Sequence, residues 1–147
     1  MKVLFVCFLS SICVSSMALG ETWVGSGKKY SPTRQLVVDY NLTVEVTEQG
    51  NGRHAINVDV HFASGETRRL TCSMETGEPG WQKTCGNFSG GGYYFDNGLA
   101  QEYTSDGNGA AFLTQITFDG NSAMRILRTE LQDEQVVAYY TESLRKD

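Results

Sequence analysis

The feature that most constrains the fold is a two-residue alternation of apolar and polar side chains that begins near residue 35 and recurs along the chain. Successive side chains of a β-strand point to opposite faces, so this alternation indicates strands with one buried and one exposed face. The segment HAINVDVHF places Ile56, Val58, Val60 and Phe62 on one face. The clearest run, QLVVDYNLTVEVTE, aligns six residues on one face: Leu36, Val38, Tyr40, Leu42, Val44 and Val46.

Turn signals separate these segments at short intervals, among them QGNG at 49–52, ASGE at 63–66, TGEPG at 76–80 and DGNG at 106–109. No segment has a convincing helical period. A long run of hairpins between neighbouring strands usually closes on itself, because closure removes the exposed edges. The sequence therefore predicts an all-β fold, a single antiparallel up-and-down β-barrel of about 8–10 strands, with a two-sheet sandwich as the alternative.

Residues 1–20 have the features of a secretory signal peptide: Lys2, an apolar run from Val3 to Val14, and Ala18 and Gly20 at the positions that precede a cleavage site. We expect residues 21–147 to form one exported domain, secreted or periplasmic, with no membrane span. Loss of Lys2 leaves 11 basic and 17 acidic residues, a formal charge of −6. Such a surface repels phosphate backbones, so nucleic acid is not an expected partner.

The cysteines test the predicted hairpin register. Two of the four, Cys7 and Cys13, lie in the leader, which leaves Cys72 and Cys85 in an export pathway that is normally oxidising. If GEPG forms a four-residue loop, Thr76 faces Trp81 and Cys72 faces Cys85 across the hairpin. The sequence therefore predicts a disulfide between Cys72 and Cys85; the close CxxC spacing and the nearby histidine of a redox or metal site are both missing.

The opening strand resembles that of calycin-like barrels, the group that includes lipocalins, fatty-acid-binding proteins and nitrobindins. In nitrobindin-like domains this strand reads roughly G-x-W-x-G-x-G-x-x-x-Y-P, and Trp23, Gly25, Gly27, Tyr30 and Pro32 follow that order here. The spacing departs from the pattern in two places, since Gly20 is three residues ahead of the tryptophan and Ser31 separates the tyrosine from the proline.

The resemblance implies structural roles for several of these residues. Trp23 would plug one end of the barrel, and Gly25 and Gly27 would let the first strand bend. In lipocalin-like barrels an arginine from a late strand packs across that tryptophan, and the candidates are Arg125 and Arg128. A tryptophan that is simply part of the core is equally compatible with the sequence.

The resemblance to nitrobindins would also imply haem, which that family holds through a histidine near its C-terminus. This chain has no histidine after His61, which falls on the outward face of its strand, and its other histidine, His54, lies at a strand start beside a turn. We therefore expect no cofactor and no metal, and solvent-facing or rim positions for both histidines. With only two histidines and no recognised catalytic motif, we also expect a protein that is not an enzyme.

The predicted inner faces combine aromatic residues with a few cations. Arg68 shares its phase with Leu70, Cys72 and Met74, and one arginine of AMRILRTEL faces inward in either register. Cations in an apolar cavity suit an amphipathic ligand with an anionic head, such as a fatty acid, whereas arginines that sit at the mouth or pair with Glu66 or Glu130 bind nothing. The candidate lining residues are Tyr40, Phe62, Arg68, Met74, Tyr93, Phe95, Phe112, Phe118, Arg128 and Tyr139.

Two functions follow from this fold. The first is a non-catalytic exported barrel that binds a small apolar or amphipathic ligand in its interior. The second is a protein-binding module, for example an enzyme inhibitor, that has a filled barrel and acts through Gly-rich loops such as SGGGYY and GEPGW. Cavity volume separates the two, because several hundred cubic ångströms of empty space favour the ligand carrier. The sequence does not indicate the oligomeric state.

Overall fold

The computed structural model describes residues 20–95 and 97–147, and these form a closed antiparallel barrel of ten strands without a helix. The leader lies outside the described residues, so its role as a signal peptide stays a prediction. The strands are β1 (Glu21–Tyr30), β2 (Leu36–Gly50), β3 (Arg53–Phe62), β4 (Thr67–Thr76), β5 (Gly80–Cys85), β6 (Phe88–Tyr94), β7 (Leu99–Ser105), β8 (Ala110–Asp119), β9 (Ala123–Gln132) and β10 (Gln135–Lys146).

Each strand pairs with its neighbours in sequence, and pairing of β1 with β10 closes the barrel. The predicted up-and-down barrel is therefore confirmed. The predicted register of the β4–β5 hairpin is also confirmed, because Thr76 faces Trp81 and Cys72 faces Cys85, which are joined by a disulfide. None of the described residues forms a helix with the length and apolar character needed to cross a membrane.

The barrel interior is filled unequally. On the β5–β7 side, Trp81 packs on Tyr94 with ring centroids 4.8 Å apart, and Met74 and Ala100 complete a buried cluster. A Cβ built on Gly92 would overlap the indole of Trp81, so the glycine allows this ring to lie flat against β6. The opposite side, formed by β1–β4 and β8–β10, surrounds an open cavity.

The tryptophan of the opening strand belongs to the core of the barrel. Trp23 is buried, and it packs with Tyr40, Leu42, Ile126 and Leu144 in the second core cluster. Trp23 also lines the cavity, and its role as a plug at one end of the barrel stays a prediction. Arg125 lies on the outer face of β9 and is exposed, so the hypothesis that it packs across the tryptophan is wrong; the two-residue period places Arg128 inside instead.

Candidate functional site

The candidate site is a cavity of about 770 Å³ between β1–β4 and β8–β10. It opens where the end of β3, the β3–β4 turn and the start of β2 meet, since the lining residues there are exposed; they include Val37, Ala63, Ser64 and Glu66. The rest of the wall is mainly apolar, and the side chains come from alternate positions of each strand: Val38, Leu42, Val44, Val46, Ile56, Val58, Val60, Phe118, Met124, Ile126 and Leu144.

A row of polar side chains crosses the inner wall beside this apolar region. Glu102, Thr114, Arg128, Tyr140 and Lys29 are successive cross-strand neighbours on β7, β8, β9, β10 and β1. We call these five residues the polar belt. Adjacent strands are about 4.8 Å apart, so each belt residue lies within reach of the next one.

Two buried or half-buried acids connect the belt to its surroundings. Glu142 is buried and accepts a hydrogen bond of 2.9 Å from the Tyr40 hydroxyl, while its other oxygen, Oε2, lies 3.6 Å from the Arg128 guanidinium. Burial and the neighbouring Glu142 raise the pKa of Tyr40, because both disfavour a second negative charge. Tyr40 therefore acts as a neutral hydrogen-bond donor.

A similar arrangement surrounds Lys29. The Tyr140 hydroxyl donates a hydrogen bond of 2.6 Å to Glu130 Oε2, and the Lys29 ammonium lies 3.6 Å from the same oxygen. Contact with Tyr140 and Glu130 raises the pKa of Lys29, whereas burial and the hydrogen bond to Glu130 raise the pKa of Tyr140. Lys29 is thus a cation at neutral pH within a half-buried wall.

The third acid of this region, Glu102, has hydrogen-bond donors for both of its carboxylate oxygens. Glu102 accepts hydrogen bonds from Trp81 Nε1 at 2.7 Å and from Lys83 Nζ at 3.0 Å. These contacts connect the β5–β7 cluster to the belt, and they leave Lys83 committed to an internal partner.

Two belt residues keep hydrogen-bonding capacity that no described residue uses. The hydroxyl of Thr114 is buried without a hydrogen-bond partner in the described part of the chain. Arg128 makes no hydrogen bond with the described residues either; it has the contact with Glu142 and lies 5.9 Å from the Phe112 ring centroid. Thr114 and Arg128 are direct cross-strand neighbours. A buried hydroxyl without a hydrogen-bond partner is costly in a protein interior, whereas Arg128 is half-buried and has Glu142 as its ionic partner.

The cavity includes half of the residues that the sequence analysis proposed to line it. Tyr40, Phe62, Phe118, Arg68 and Arg128 do so. Arg68 stands at the mouth, where it forms an ion pair of 2.7 Å with Glu66 and packs over Phe62. That placement agrees with the alternative in which a rim arginine is paired internally.

The remaining proposed residues lie elsewhere. Met74 belongs to the buried Trp81 cluster, and Phe112 packs between Phe88 and Tyr140. Tyr93 and Phe95 are exposed, with 62% and 44% of their surface accessible.

The last strand has the opposite phase to the one expected. Tyr139 packs against Arg34 instead of lining the cavity, and Tyr140 lines the cavity with Glu142 and Leu144. A bulge between Val136 and Ala138 breaks the register at the start of β10, so counting from the preceding turn gives the wrong face.

The histidine positions also differ in part from the expectation. His61 is exposed and contacts Thr67, as an outward residue should. His54, expected at the rim, is fully buried beside Met74 on β4. Its position at the start of β3 is inward because His54, Ile56, Val58 and Val60 share one phase. Among the described side chains, no three His, Cys, Asp or Glu residues come together in a way that could hold a metal ion.

Sequence reasoning missed Lys29, Tyr140 and Glu142 as residues that line the cavity. Lys29 continues the two-residue spacing of Trp23, Gly25 and Gly27, so it lies on the same inward face of β1. That spacing was the sequence signal that could have identified Lys29 as a lining residue. The glycines serve the same site, since a Cβ built on Gly27 would overlap the ring of Tyr40.

Comparison with known proteins places the fold but not the family. The chain matches no protein-family model, and no curated protein matches it. Among solved structures it is similar to an S-type phycobiliprotein lyase, CPES, from Guillardia theta, with a TM-score of 0.74 and 10% identity over 100% of this chain and 97% of the other. It is similar to Rv2717c from M. tuberculosis, with a TM-score of 0.67 and 13% identity over 90% and 95% of the two chains.

A third similar structure is a protein of unknown function from the DUF3598 family of Nostoc punctiforme, with a TM-score of 0.71 and 12% identity. The match covers 86% of this chain and 46% of that protein, so the chain spans about half the length of this relative. At these identities the likeness shows a shared barrel fold. The expectation that the chain is not an enzyme stays a prediction, and one of the proteins with this fold is a lyase.

Proposed function

We propose that residues 21–147 form an exported calycin-like carrier that binds one small, apolar or amphipathic molecule inside the barrel and does not transform it. The observation that carries the proposal is the cavity of about 770 Å³, whose wall is mainly aliphatic and which opens at one end. Cavities that hold small ligands usually measure about 300–1,000 Å³ and combine apolar walls with a few polar groups. The alternative, a filled barrel that acts only through its loops, does not account for this space.

Energetics favour an occupant. An empty apolar cavity leaves its lining without contact partners and costs the folded protein stability. The hydrophobic effect returns about 25 cal/mol for each Å² of apolar surface removed from water, so a ligand that covers the valine-rich wall of β2 and β3 stabilises the barrel. The charged groups at the mouth, Glu66 and Arg68, are paired with each other and leave the entrance hydrated.

Two measurements test this proposal. Native mass spectrometry of the purified chain should show added mass from a copurified molecule, and the neutral fluorescent probe N-phenyl-1-naphthylamine should bind with a stoichiometry of one. The change Val44→Phe projects a ring into the cavity and should abolish probe binding. Its matched control, Thr43→Phe, adds the same ring one position earlier, on the face that points away from the cavity.

Blocking by Val44→Phe alone would support an interior site. Equal probe binding by the two variants would place the probe outside the barrel and contradict the proposal. The absence of both probe binding and copurified mass in the unaltered chain would favour the loop-mediated protein-binding module instead.

A further inference from the structure

We infer that two copies of this chain bind each other through the outer face of β6–β9, and that each copy uses the same face. The inference stands apart from the proposed ligand binding, because the cavity opens elsewhere, at the end of β3 and the start of β2. It starts from four large apolar or aromatic side chains that are about half exposed: Tyr93, Tyr103, Leu113 and Leu127, with 62%, 51%, 47% and 53% of their surface accessible.

These four side chains form one continuous patch, which we call the outer patch. Tyr103 on β7 and Leu113 on β8 are direct cross-strand neighbours. Tyr93 on β6 and Leu127 on β9 are the diagonal neighbours of this pair. Direct and diagonal neighbours on one face of a sheet lie about 4.5–8 Å apart, so the patch extends without a break across four strands. Single exposed apolar residues are common on protein surfaces, whereas a continuous patch marks an interaction site.

The positions around the outer patch are small or polar and carry no charge. They are other outward residues of the same strands: Ser89, Gly91, Gln101, Ser105, Gln115, Thr117 and Thr129. Among the outward strand residues of β6–β9 that the structure describes, charges appear only near one end of the barrel, as Asp119 on β8 and Arg125 on β9. Protein interfaces have a similar composition, because charged residues are depleted at their centre and tyrosine is enriched there.

The outer face of β2–β4 has a different composition. Glu45, Asp59, Arg69 and Glu75 point outward there, and Arg69 donates hydrogen bonds of 2.7 and 2.6 Å to Asp59. The 11 basic and 17 acidic residues of the segment 21–147 give it a formal charge of −6, so two copies repel each other when their charged faces meet. The outer patch and its uncharged surroundings allow close approach without this repulsion.

Symmetry favours a second copy as the partner. In a contact between identical faces, a residue near the two-fold axis meets its own copy. A lysine or glutamate there would meet a like charge, whereas side-chain amides and hydroxyls contain both a donor and an acceptor and can pair with themselves. The polar groups beside the outer patch are of this second kind, namely Gln101, Gln115 and Thr129. The face is therefore complementary to itself, and a partner with a charged surface would gain no ion pair from it.

The outer patch lies mainly over the packed half of the barrel. On β7 the residues that alternate with Gln101 and Tyr103 are buried, and Trp81 packs behind β6 against Gly92. A face that is formed before binding loses little conformational entropy on association. The barrel surface is convex, so the contact covers less than the roughly 800 Å² per partner of a standard interface. We therefore expect a reversible dimer with a dissociation constant on the order of 10 μM.

Sedimentation velocity of the purified chain tests the inference. The mass should rise from that of one chain at about 1 μM to that of two chains at about 100 μM, as mass action requires for such a dissociation constant. Leu113→Lys places two lysines, one from each copy, at the centre of the contact and should weaken the dimer at least about tenfold. The matched control is Leu36→Lys, at a leucine that is 55% exposed but lies at the start of β2, and it should leave the dimer unchanged.

Two results of this experiment would overturn the inference. One is a chain that stays monomeric up to about 100 μM, and the other is equal weakening of the dimer by the two lysine changes. Urea unfolding checks that each variant folds. If Leu113→Lys does not fold, Gln115→Glu takes its place, because it brings like charges together at an exposed position without removing an apolar side chain. An unchanged dimer in that variant would also overturn the inference.

Mixing two variants tests whether the two faces are the same. Leu113→Lys and Leu113→Glu should each be monomeric, and an equimolar mixture should form dimers again, because opposite charges then meet near the two-fold axis. A mixture that stays monomeric would refute the contact between identical faces.

Salt distinguishes this contact from an ionic one. Sodium chloride screens the repulsion between two acidic copies and does not weaken apolar contacts, so an increase from about 50 to 500 mM should leave the dimer as tight as before or tighter. Dissociation of the dimer by salt would show that charged faces form the contact and would refute the assignment to the outer patch.

Discussion

His54 should make the stability of the barrel depend on pH in a predictable direction. Its side chain has no solvent-accessible surface, and burial lowers its pKa because the charged imidazolium loses hydration. The nearby charge of Glu48 and a hydrogen bond with the backbone of Gly52 act in the opposite direction but do not cancel this effect. The folded state therefore binds fewer protons than the unfolded state near pH 6.

The sign and size follow from proton linkage. A histidine with an unfolded pKa near 6.5 is neutral in both the folded and the unfolded state at high pH, so its titration does not change the free energy of unfolding there. As the pH falls below that value, protonation stabilises the unfolded chain only, and the free energy of unfolding falls by up to about 1.4 kcal/mol per pH unit until the folded pKa is reached. Between pH 7.5 and 5.5 the loss from His54 amounts to at most about 1.4 kcal/mol.

The assay is urea unfolding at pH 7.5, 6.5 and 5.5 for the unaltered chain and for His54→Gln. Glutamine does not titrate, so the variant should lose about 1 kcal/mol less than the unaltered chain over this range, whatever its stability at pH 7.5. The carboxylates titrate in the same way in both proteins, so their contribution to the pH dependence of stability cancels when the two are compared. His61→Gln, at an exposed position, serves as the control and should keep the full pH dependence. Identical pH slopes for His54→Gln and the unaltered chain would refute the reasoning.

Two further changes test the packing around the site. Gly27→Ala should lower the free energy of unfolding, measured in urea, by about 1–3 kcal/mol, because the new Cβ displaces the Tyr40 ring. The control Gly77→Ala has open space around the new Cβ and should leave the free energy of unfolding unchanged. Equal effects of the two changes would contradict the close contact between Gly27 and Tyr40. Replacement of Cys72 and Cys85 by alanine should cost about 3 kcal/mol, the chain-entropy value for a loop with a sequence separation of 13, and unchanged urea midpoints would show that the bond does not constrain the unfolded chain.

The fold could be predicted from the sequence because its signals are local. The two-residue period identifies strands, and the short loops between them require neighbours in sequence to pair, so closure into a barrel follows from the need to cover the edges. The cysteine pairing followed from one turn length, and the hairpin has that register. The inward phase of β2 and β3 was clear since their polar residues fall almost entirely on the other face.

The site was less predictable because barrel interiors contain polar residues too. In β10 both phases carry a tyrosine, and the choice between Tyr139 and Tyr140 depends on a bulge that no sequence signal marks. In β9 both phases carry an arginine, Arg125 or Arg128, and hydropathy does not distinguish them. The packed half of the interior, which holds Met74 away from the open part of the cavity, depends on how Trp81 lies against Gly92. That is a property of three-dimensional packing.

In this uneven interior, different side chains support the fold and border the cavity, whereas in many small domains the same side chains do both. The Trp81 half forms a solid frame, whereas the valines of β2 and β3 border empty space and could be enlarged or trimmed with little loss to that frame. Mutations on the hollow side can thus change the size of the ligand that fits, while the packed side preserves the shape of the barrel. The same division makes the scaffold suitable for engineering, since new cargo specificities could be selected by randomising the hollow wall alone.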